Sequence, residues 1–513
     1  MNAFMNNLQQ ETNIKLTEKG AIAHKTTNSM VYDLFAFGGA YRSRSLNDKI
    51  LLFKNAFEEN PTLALKCLFY LRDVREGQGE RDFFRQNIKW LCNNAEMDKI
   101  TKLLNLIPEY GRWDDLIYAT IDTELEEQGL EIIRKQFLLD LDSKTPSLLA
   151  KWLPSENASA YITKKTATKI RKYFGLNHKE YRQALSSLRE KIKIVEKLMS
   201  ENRWNEIEFD KIPSKAGLIY KNAFARRDLI ATKYKDFIKT KSTKVNAKTL
   251  YPYEIVSKAL SKYDYWHKDN LDEIERAAIQ KYWDNLPNYF EGTKDNSIMC
   301  VIDTSGSMTC GNGSIDPIDV AISLGIYAGE RCSGPFQNHY ISFASRPQLI
   351  KIEGVDLVDK IRRIYDTNLI DNTNLIAVFQ LIKETALRSP DSAKDMPKTL
   401  VIISDMEIDY ATEGYYRASW DRHKEVFRGW TTKTAATEME KIRLDFAAAG
   451  LICPKLVYWN VNARNNTILD SGDDVSFVSG CSPVLFEQIC KGVTGYELMM
   501  DKLMTKRYEA IEW

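Results

Sequence analysis

The sequence holds only five histidines, at positions 24, 178, 267, 339 and 423, and they form no local cluster. Its eight cysteines are scattered at 67, 92, 300, 310, 332, 453, 481 and 490, with no Cys-x-x-Cys spacing. A structural zinc site needs such clustering, so none is expected. Scattered thiols without a pairing pattern point to a reducing compartment, and the expected location is cytoplasmic. Cys300 and Cys453, in or beside apolar strands, read as core thiols. No Gly-x-x-x-x-Gly-Lys-[Ser/Thr] loop, His-Glu-x-x-His pair or Gly-x-Ser-x-Gly elbow occurs. Their absence removes three common enzyme signatures. The longest apolar runs are about six residues, against the ~20 that a membrane-spanning helix requires. Met1-Asn2-Ala3-Phe4-Met5-Asn6-Asn7 shows neither a basic nor a long apolar stretch, so no secretion signal and no membrane partner are expected.

What is present is the composition of a soluble globular protein: 513 residues, 44% hydrophobic and 28% charged. That length exceeds one ordinary core and predicts two or three domains. The net charge of +2 is unevenly spread. Between Tyr161 and Leu250 stand 23 Lys and Arg against 9 Asp and Glu, a net +14, which leaves −12 for the remainder. One such basic block predicts a polyanionic partner.

Residues 1–29 are polar and unpatterned and read as a loosely held arm. From 30 to 290 the pattern is helical. Asn60-Pro61 restarts the chain with a capping Asn and a first-turn Pro. Gly77-Gln78-Gly79 breaks a mostly buried helix. Tyr181, Leu185, Leu188, Ile192, Val195 and Leu198 recur at steps of four and three, which predicts one amphipathic helix. Short helices joined by short turns predict an α-helical, HEAT-like repeat array. From 295 to 513 strands alternate with helices, and the apolar runs at 297–303 and 399–404 head a mostly parallel, doubly wound α/β domain. An insert at 408–433 is rich in Tyr, Trp and Arg. Its Tyr415, Tyr416, Trp420 and Trp430 fit two roles, base stacking or packing against the helical half.

The apolar run Ile298-Met299-Cys300-Val301-Ile302 stops at Asp303, and Ser305 and Ser307 follow within one tight loop. A carboxylate and two hydroxyls at a strand end suit Mg²⁺, a small, hard, oxygen-seeking cation. A second apolar run ends at Asp405, and Thr373 lies in a polar loop between the two. Loops at the carboxyl ends of neighbouring parallel strands converge on one crevice. The predicted metal set is therefore Asp303, Ser305, Ser307, Thr373 and Asp405. A phosphatase-like nucleophile at Asp303 would want a second acid where Ser305 stands, so no enzymatic activity is expected. Predicted RNA contacts are Lys164, Lys165, Lys169, Arg171 and Lys172, with Arg189 and Lys193 at helical steps further on. Arg72, Arg75 and Arg81 read instead as a helix turn salt-bridged to Asp73, Glu76, Glu80 and Asp82. Trp113 and Trp152 read as core anchors.

The order Asp303-x-Ser305-x-Ser307, Thr373, Asp405 resembles the metal-ion-dependent adhesion site of a von Willebrand factor A domain, a Rossmann-like fold. One departure is the Thr loop, often Gly-Gly-Thr-Asp and here Asp371-Asn372-Thr373-Asn374. The resemblance implies that Asp303, Ser305, Ser307 and Thr373 touch the ion, that Asp405 acts through water, and that an acidic partner group can complete the shell.

A helical array ahead of such a domain is similar to the TROVE-module proteins, the Ro autoantigen and its bacterial relatives. Lys151-Trp152-Leu153-Pro154-Ser155-Glu156, Tyr251-Pro252-Tyr253-Glu254, Ile341-Ser342-Phe343-Ala344-Ser345 and Ile468-Leu469-Asp470-Ser471-Gly472-Asp473-Asp474 carry the likeness. Arg72-Asp73-Val74-Arg75-Glu76-Gly77 and Gly111-Arg112-Trp113-Asp114-Asp115 resemble a Ro-like subgroup. The resemblance implies a ring of helical repeats closed by the metal domain. It also implies a non-catalytic ribonucleoprotein component whose basic surface binds small structured RNAs and whose hole takes single-stranded ends. The alternative expectation is a metal-dependent protein–protein interaction module with no RNA ligand.

Overall fold

A computed structural model describes residues 13–16, 22–261, 271–292, 297–309, 315–366, 373–406, 438–464, 466–468 and 474–513. The aromatic insert at 408–433 lies outside the described residues. The chain divides into two compact units, one of residues 1–43, 288–355 and 359–502, the other of 44–287, 356–358 and 503–513. The predicted order of a helical region followed by an α/β region is observed. The termini depart from it, because each belongs to the unit that the opposite half of the chain builds.

The α/β unit is organised by strands β3 (Ile298–Ile302), β4 (His339–Ser342), β5 (Leu349–Lys351), β6 (Thr399–Ser404), β7 (Lys455–Asn460) and β8 (Val475–Ser479). Strands β1 (Ile14–Leu16) and β2 (Ile22–His24) form a separate antiparallel pair. The six-stranded sheet runs in the order β5-β4-β3-β6-β7-β8. All neighbours are parallel except β4 and β5. Strands β3, β6 and β8 are buried along their whole length; for β3 and β6 this matches their apolar runs, as expected where helices cover both faces of a sheet. Helix Pro317–Arg331 packs on β3, β4 and β6. Gly325 faces Ile302 there, and a Cβ at this glycine would lie 2.1 Å from the Ile302 Cδ1. Cys300 is buried in β3, and burial pushes its thiol well above the usual range.

The expected loose arm is not what the described part of the N-terminus forms. Asn13 bonds to the backbone of Thr26, and His24 and Ile468 exchange backbone hydrogen bonds at 2.6 and 3.1 Å. Helix Met30–Phe37, capped by Ser29, packs on β8. The Phe477 N–H donates to the Tyr32 hydroxyl at 2.9 Å, and the Ser479 hydroxyl donates to the Phe35 carbonyl at 3.1 Å. Phe35, Tyr32 and Val31 are buried against this edge strand, a packing invisible to local periodicity.

In the helical unit short helices follow one another from Leu46–Glu59 to Glu273–Asp284. The predicted Asn60 cap and first-turn Pro61 are present, with the Asn60 side chain accepting from Leu63 N. The predicted helix over 181–198 is instead two, His178–Lys191 and Val195–Ser200. Lys193 adopts a left-handed φ of 46° at the break, a conformation that ends a right-handed helix.

Arg72, buried at 1% exposure, places Nε 2.8 Å and Nη2 2.7 Å from the Asp115 carboxylate. Arg85 Nε binds the other Asp115 oxygen at 2.6 Å and reaches Asp114. Asp115 also accepts from Arg112 N at 2.9 Å, capping helix Trp113–Thr120. Gly111 has no room for a side chain, since a Cβ would sit 2.5 Å from Asp115 Oδ2. Asp73 accepts from Arg507 at 2.8 and 3.1 Å, and Tyr508 stacks on Tyr110 with centroids 5.7 Å apart. The C-terminal segment thus completes this unit. The local salt-bridged turn expected for Arg72 and Arg75 is replaced by longer-range pairs, Arg72 with Asp115 and Arg75 with Glu109.

Removing one member of a buried ion pair strands the other charge, at about 3–5 kcal/mol. Asp115→Ala is therefore expected to destabilise the helical unit by about that amount in urea denaturation. Lys54→Ala, which breaks the exposed Lys54–Glu58 pair at 3.7 Å, should cost under ~1 kcal/mol.

Candidate metal centre and basic helical surface

Strand order decides where the polar residues of the α/β unit meet. The chain leaves β3 toward β4 and leaves β6 toward β7, so the switch point of the sheet lies between β3 and β6. Ligand crevices in open parallel sheets form at such a point, outside the carboxyl ends of the strands. Ile302 pairs with Ile403, and Asp303 N continues the ladder to Ile403 O at 3.1 Å. Asp303 therefore emerges beside Ser404, whose hydroxyl donates to Asp303 Oδ2 at 2.6 Å. Ser305 N donates to Asp303 Oδ1 at 2.9 Å, and the Ser305 and Ser307 hydroxyls lie 3.1 Å apart.

Asp405 follows Ser404 directly, and both carboxylates are fully buried at 0% exposure. Asp405 Oδ2 lies 3.0 Å from Arg464 Nη2. Met406 next to it has a φ of +68°, a strained value for a side chain with a Cβ. Its N–H donates to the Ser404 hydroxyl at 3.0 Å, which fixes that hydroxyl toward Asp303. Burial first, and the Asp405 charge second, push the Asp303 carboxyl up to about 6. Thr373 is buried just ahead of helix Leu375–Ala386, which Asn374 caps through Ala377 N. Asp371 and Asn372 of the Thr loop lie outside the described residues.

Of the five predicted metal residues, Asp303, Ser305 and Ser307 are joined by hydrogen bonds, and Asp405 stands in electrostatic contact with Asp303. Ser404 and Arg464 were not predicted. Ser404 ends an apolar run, and its signal is a lone hydroxyl just before the second Asp. Arg464 lies beyond β7 and carries no local signal. Among the described residues no three His, Cys, Asp or Glu are grouped to hold a metal ion. Any cation here would depend on hydroxyls as well as on Asp303 and Asp405. Such an all-oxygen donor set, with two buried carboxylates close enough to repel, fits a hard divalent cation.

The predicted basic surface divides sharply in the helical unit. Lys164, Lys165 and Lys172 on helix Tyr161–Tyr173 are exposed. Lys165 stands 3.5 Å from Asp122. Lys169 is tied at 2.7 Å to both Asp122 and Glu126. Arg171 binds Glu156 and the Leu176 carbonyl, each at 2.8 Å. Arg189 donates to the Ala150 carbonyl at 2.8 Å, the Leu153 carbonyl at 2.9 Å and the Ser155 hydroxyl at 3.1 Å. Burial also lowers the pKa of the Arg189 guanidinium. Lys169, Arg171 and Arg189 thus act as internal clamps, and their donors do not face a partner as the helical spacing predicted. Lys193 is 75% exposed, 3.8 Å from Glu208. Lys235, Lys241, Lys244 and Lys248 are exposed as well, without a sequence motif that marks them. Among the described residues these four and Lys164 and Lys172 have no carboxylate within ion-pair distance.

The Asp303 shift carries a sign for stability. A carboxyl raised in the fold from an ordinary value near ~4 to about 6 stabilises below the lower value and loses that contribution as pH rises through the upper one. In chelator, the thermal midpoint of the wild type is expected to fall relative to Asp303→Asn between pH 4 and about 6.5. Parallel profiles for the two proteins would contradict the burial of an ionising Asp303.

Among the described residues no helix is long and apolar enough to cross a membrane. A family model described as a domain of unknown function, DUF2828, matches residues 17–110 and 138–290. A second domain of unknown function, DUF7788, matches residues 296–502. Uncharacterized protein L728 of Acanthamoeba polyphaga mimivirus is 29% identical over 521 residues, covering 93% of this chain and 84% of its own. Among solved structures, the Deinococcus radiodurans RO (RSR) protein is similar with a TM-score of 0.45 at 14% identity, over 95% of this chain and 100% of that one.

Proposed function

We propose that this protein is a non-catalytic RNA-binding component of a ribonucleoprotein, which grips RNA phosphates through its helical unit and holds Mg²⁺ in its α/β unit. The observation that carries the RNA reading is the set of exposed lysines without anion partners, Lys164, Lys172, Lys235, Lys241, Lys244 and Lys248, in the one block of the chain with a basic excess. Lys211 and Lys215, by contrast, are ion-paired with Glu208 and Glu254. Several left unmatched in one unit offer phosphates a binding surface whose affinity comes from counterion release. The ligand is a small structured or single-stranded RNA, and Lys165 and Lys193 are further exposed cations, 3.5 Å from Asp122 and 3.8 Å from Glu208.

The metal reading rests on the buried Asp303–Ser404 hydrogen bond and the nearby Asp405. Asp303, Ser305, Ser307, Thr373 and Asp405 would hold the ion, which supplies a Lewis-acidic position for an anionic group of a partner. The same residues favour the second reading, a metal-dependent protein-interaction module whose partner offers an acidic side chain.

RNA binding is tested by fluorescence anisotropy with a single-stranded RNA of about 20 nucleotides across a salt series; log K should fall with log salt at a slope near −0.7 per phosphate contacted. Lys164→Gln/Lys172→Gln/Lys244→Gln should weaken binding and flatten that slope by about 2. Wild-type protein that fails to bind at low salt would leave the interaction module as the reading. For the metal, Mg²⁺ should raise the thermal midpoint of the wild type and leave that of Asp303→Ala unmoved. An equal rise in both proteins would refute the placement.

A further inference from the structure

The helical unit holds a second group of cations outside the 161–250 block. Three carboxylates beside it are engaged by other cations. Asp115 is held by Arg72 at 2.7 Å and by Arg85 at 2.6 Å, Asp114 by Arg85, and Asp82 by Lys49 at 2.6 Å. Three cations remain beside them, Arg81, Arg112 and Lys151. Among the described residues none of the three has a carboxylate within ion-pair distance.

Two of these cations converge on one aromatic ring. The Arg112 Cζ lies 4.7 Å and the Lys151 Nζ 5.8 Å from the centroid of Trp152. The ring restrains the guanidinium by a cation–π contact and keeps it away from bulk water on that side. Arg112 leads into helix Trp113–Thr120, and Arg81 opens helix Arg81–Asn94 as an exposed residue. Burial, and then the positive charge of Arg72, pull the Arg112 guanidinium below its usual range; Asp114 and Asp115 oppose this, and Arg81 adds to it. Like charges are thus gathered in a partly desolvated place, where Asp114 and Asp115, ion-paired to Arg72 and Arg85, offset them only in part. An arrangement of that kind is costly alone and is relieved by a bound anion. Arginine forks match the oxygens of a phosphate in two parallel hydrogen bonds, and a lysine adds a point charge.

We propose that Arg81, Arg112 and Lys151 form a phosphate-binding site beside Trp152. The phosphate belongs to an RNA backbone, which rests on the RNA reading above, or to a free phosphate-bearing molecule. The Trp152 ring then acts as the rest on which Arg112 is held toward the oxyanion.

The test uses the full chain as wild type, Arg112→Gln and Arg81→Gln/Arg112→Gln. Inorganic phosphate is compared with chloride at equal ionic strength by thermal shift, and the RNA of about 20 nucleotides by anisotropy over a salt series. Phosphate is expected to stabilise the wild type beyond chloride and to lose that effect in Arg112→Gln. RNA affinity should fall at least tenfold in the double variant, with the salt slope flattened by about 1.4. A phosphate effect that is absent from the wild type, or equal in wild type and variant, overturns the site. An Arg112-dependent phosphate effect with no RNA binding by the wild type upholds the site and overturns the RNA reading. The same effect with RNA binding unchanged in the double variant assigns the site to a free phosphate ligand. Should Arg112→Gln unfold, Arg81→Gln at its exposed position carries the same comparison, and Arg112→Lys should restore part of the phosphate effect.

Discussion

The adjacency of β3 and β6 is the constraint on which the α/β site depends. Pairing Ile302 with Ile403 sets Asp303 and Ser404 side by side, although 101 residues separate them in the chain. The next residue, Asp405, then brings a second carboxylate into the same buried space. Burying an ionised carboxylate costs several kcal/mol unless hydrogen bonds and opposite charge offset it. The structure supplies the Ser404 hydroxyl and the Ser305 N–H to Asp303, and Arg464 to Asp405. Hydrogen bonds to charged groups contribute about 1.5–3 kcal/mol each, so two of them do not cancel the burial and mutual repulsion of two acids. At Asp303 burial, and then the Asp405 charge, outweigh the hydrogen bonds and raise the pKa.

The helical unit meets the same problem from the cationic side and resolves it differently. Asp115 gathers Arg72, Arg85 and the backbone of Arg112 around one carboxylate, and Asp73 does so for Arg507 and Tyr508. Each buried acid there orders segments distant in sequence. Gly111 belongs to this arrangement because the space a side chain would need is filled by the Asp115 carboxylate. Lys281 extends the pattern to a buried lysine, whose ammonium donates to the Ile238 and Thr240 carbonyls and to the Thr243 hydroxyl.

Much of the α/β region was legible in the sequence because its signals are local. Continuous apolar runs ending in Asp303 and Asp405 mark buried parallel strands, and Asp-x-Ser-x-Ser needs no long-range information. Features set by distant contacts were not legible. The helix Met30–Phe37 is apolar enough to belong to either unit, and only its bonds to Phe477 and Ser479 place it with the sheet. The apolar steps from Tyr181 to Leu198 continue through a helix break, because both helices bury apolar residues while Lys193 takes a left-handed φ between them. Arg171 and Arg189 looked like surface cations because Glu156 and the carbonyls of Ala150 and Leu153 are invisible to helical spacing.

These internal contacts reduce the positive charge that a partner would meet. A net +14 over Tyr161 to Leu250 counts every cation equally. The structure separates cations that hold the fold from cations that face solvent. Lys169, Arg171 and Arg189 belong to the first group, as does Lys191, which donates to the Leu141 and Ser143 carbonyls. Arg203 reaches Glu190, Glu201 and Glu206 together and is neutralised several times over. What a polyanion would meet is the remainder, a few lysines on separate segments, more diffuse than the sequence total implies. Diffuse single charges favour contact with phosphates over recognition of base edges. Selectivity for one RNA over another would therefore have to come from the shape of the surface and from aromatic or arginine contacts, and not from the lysines themselves.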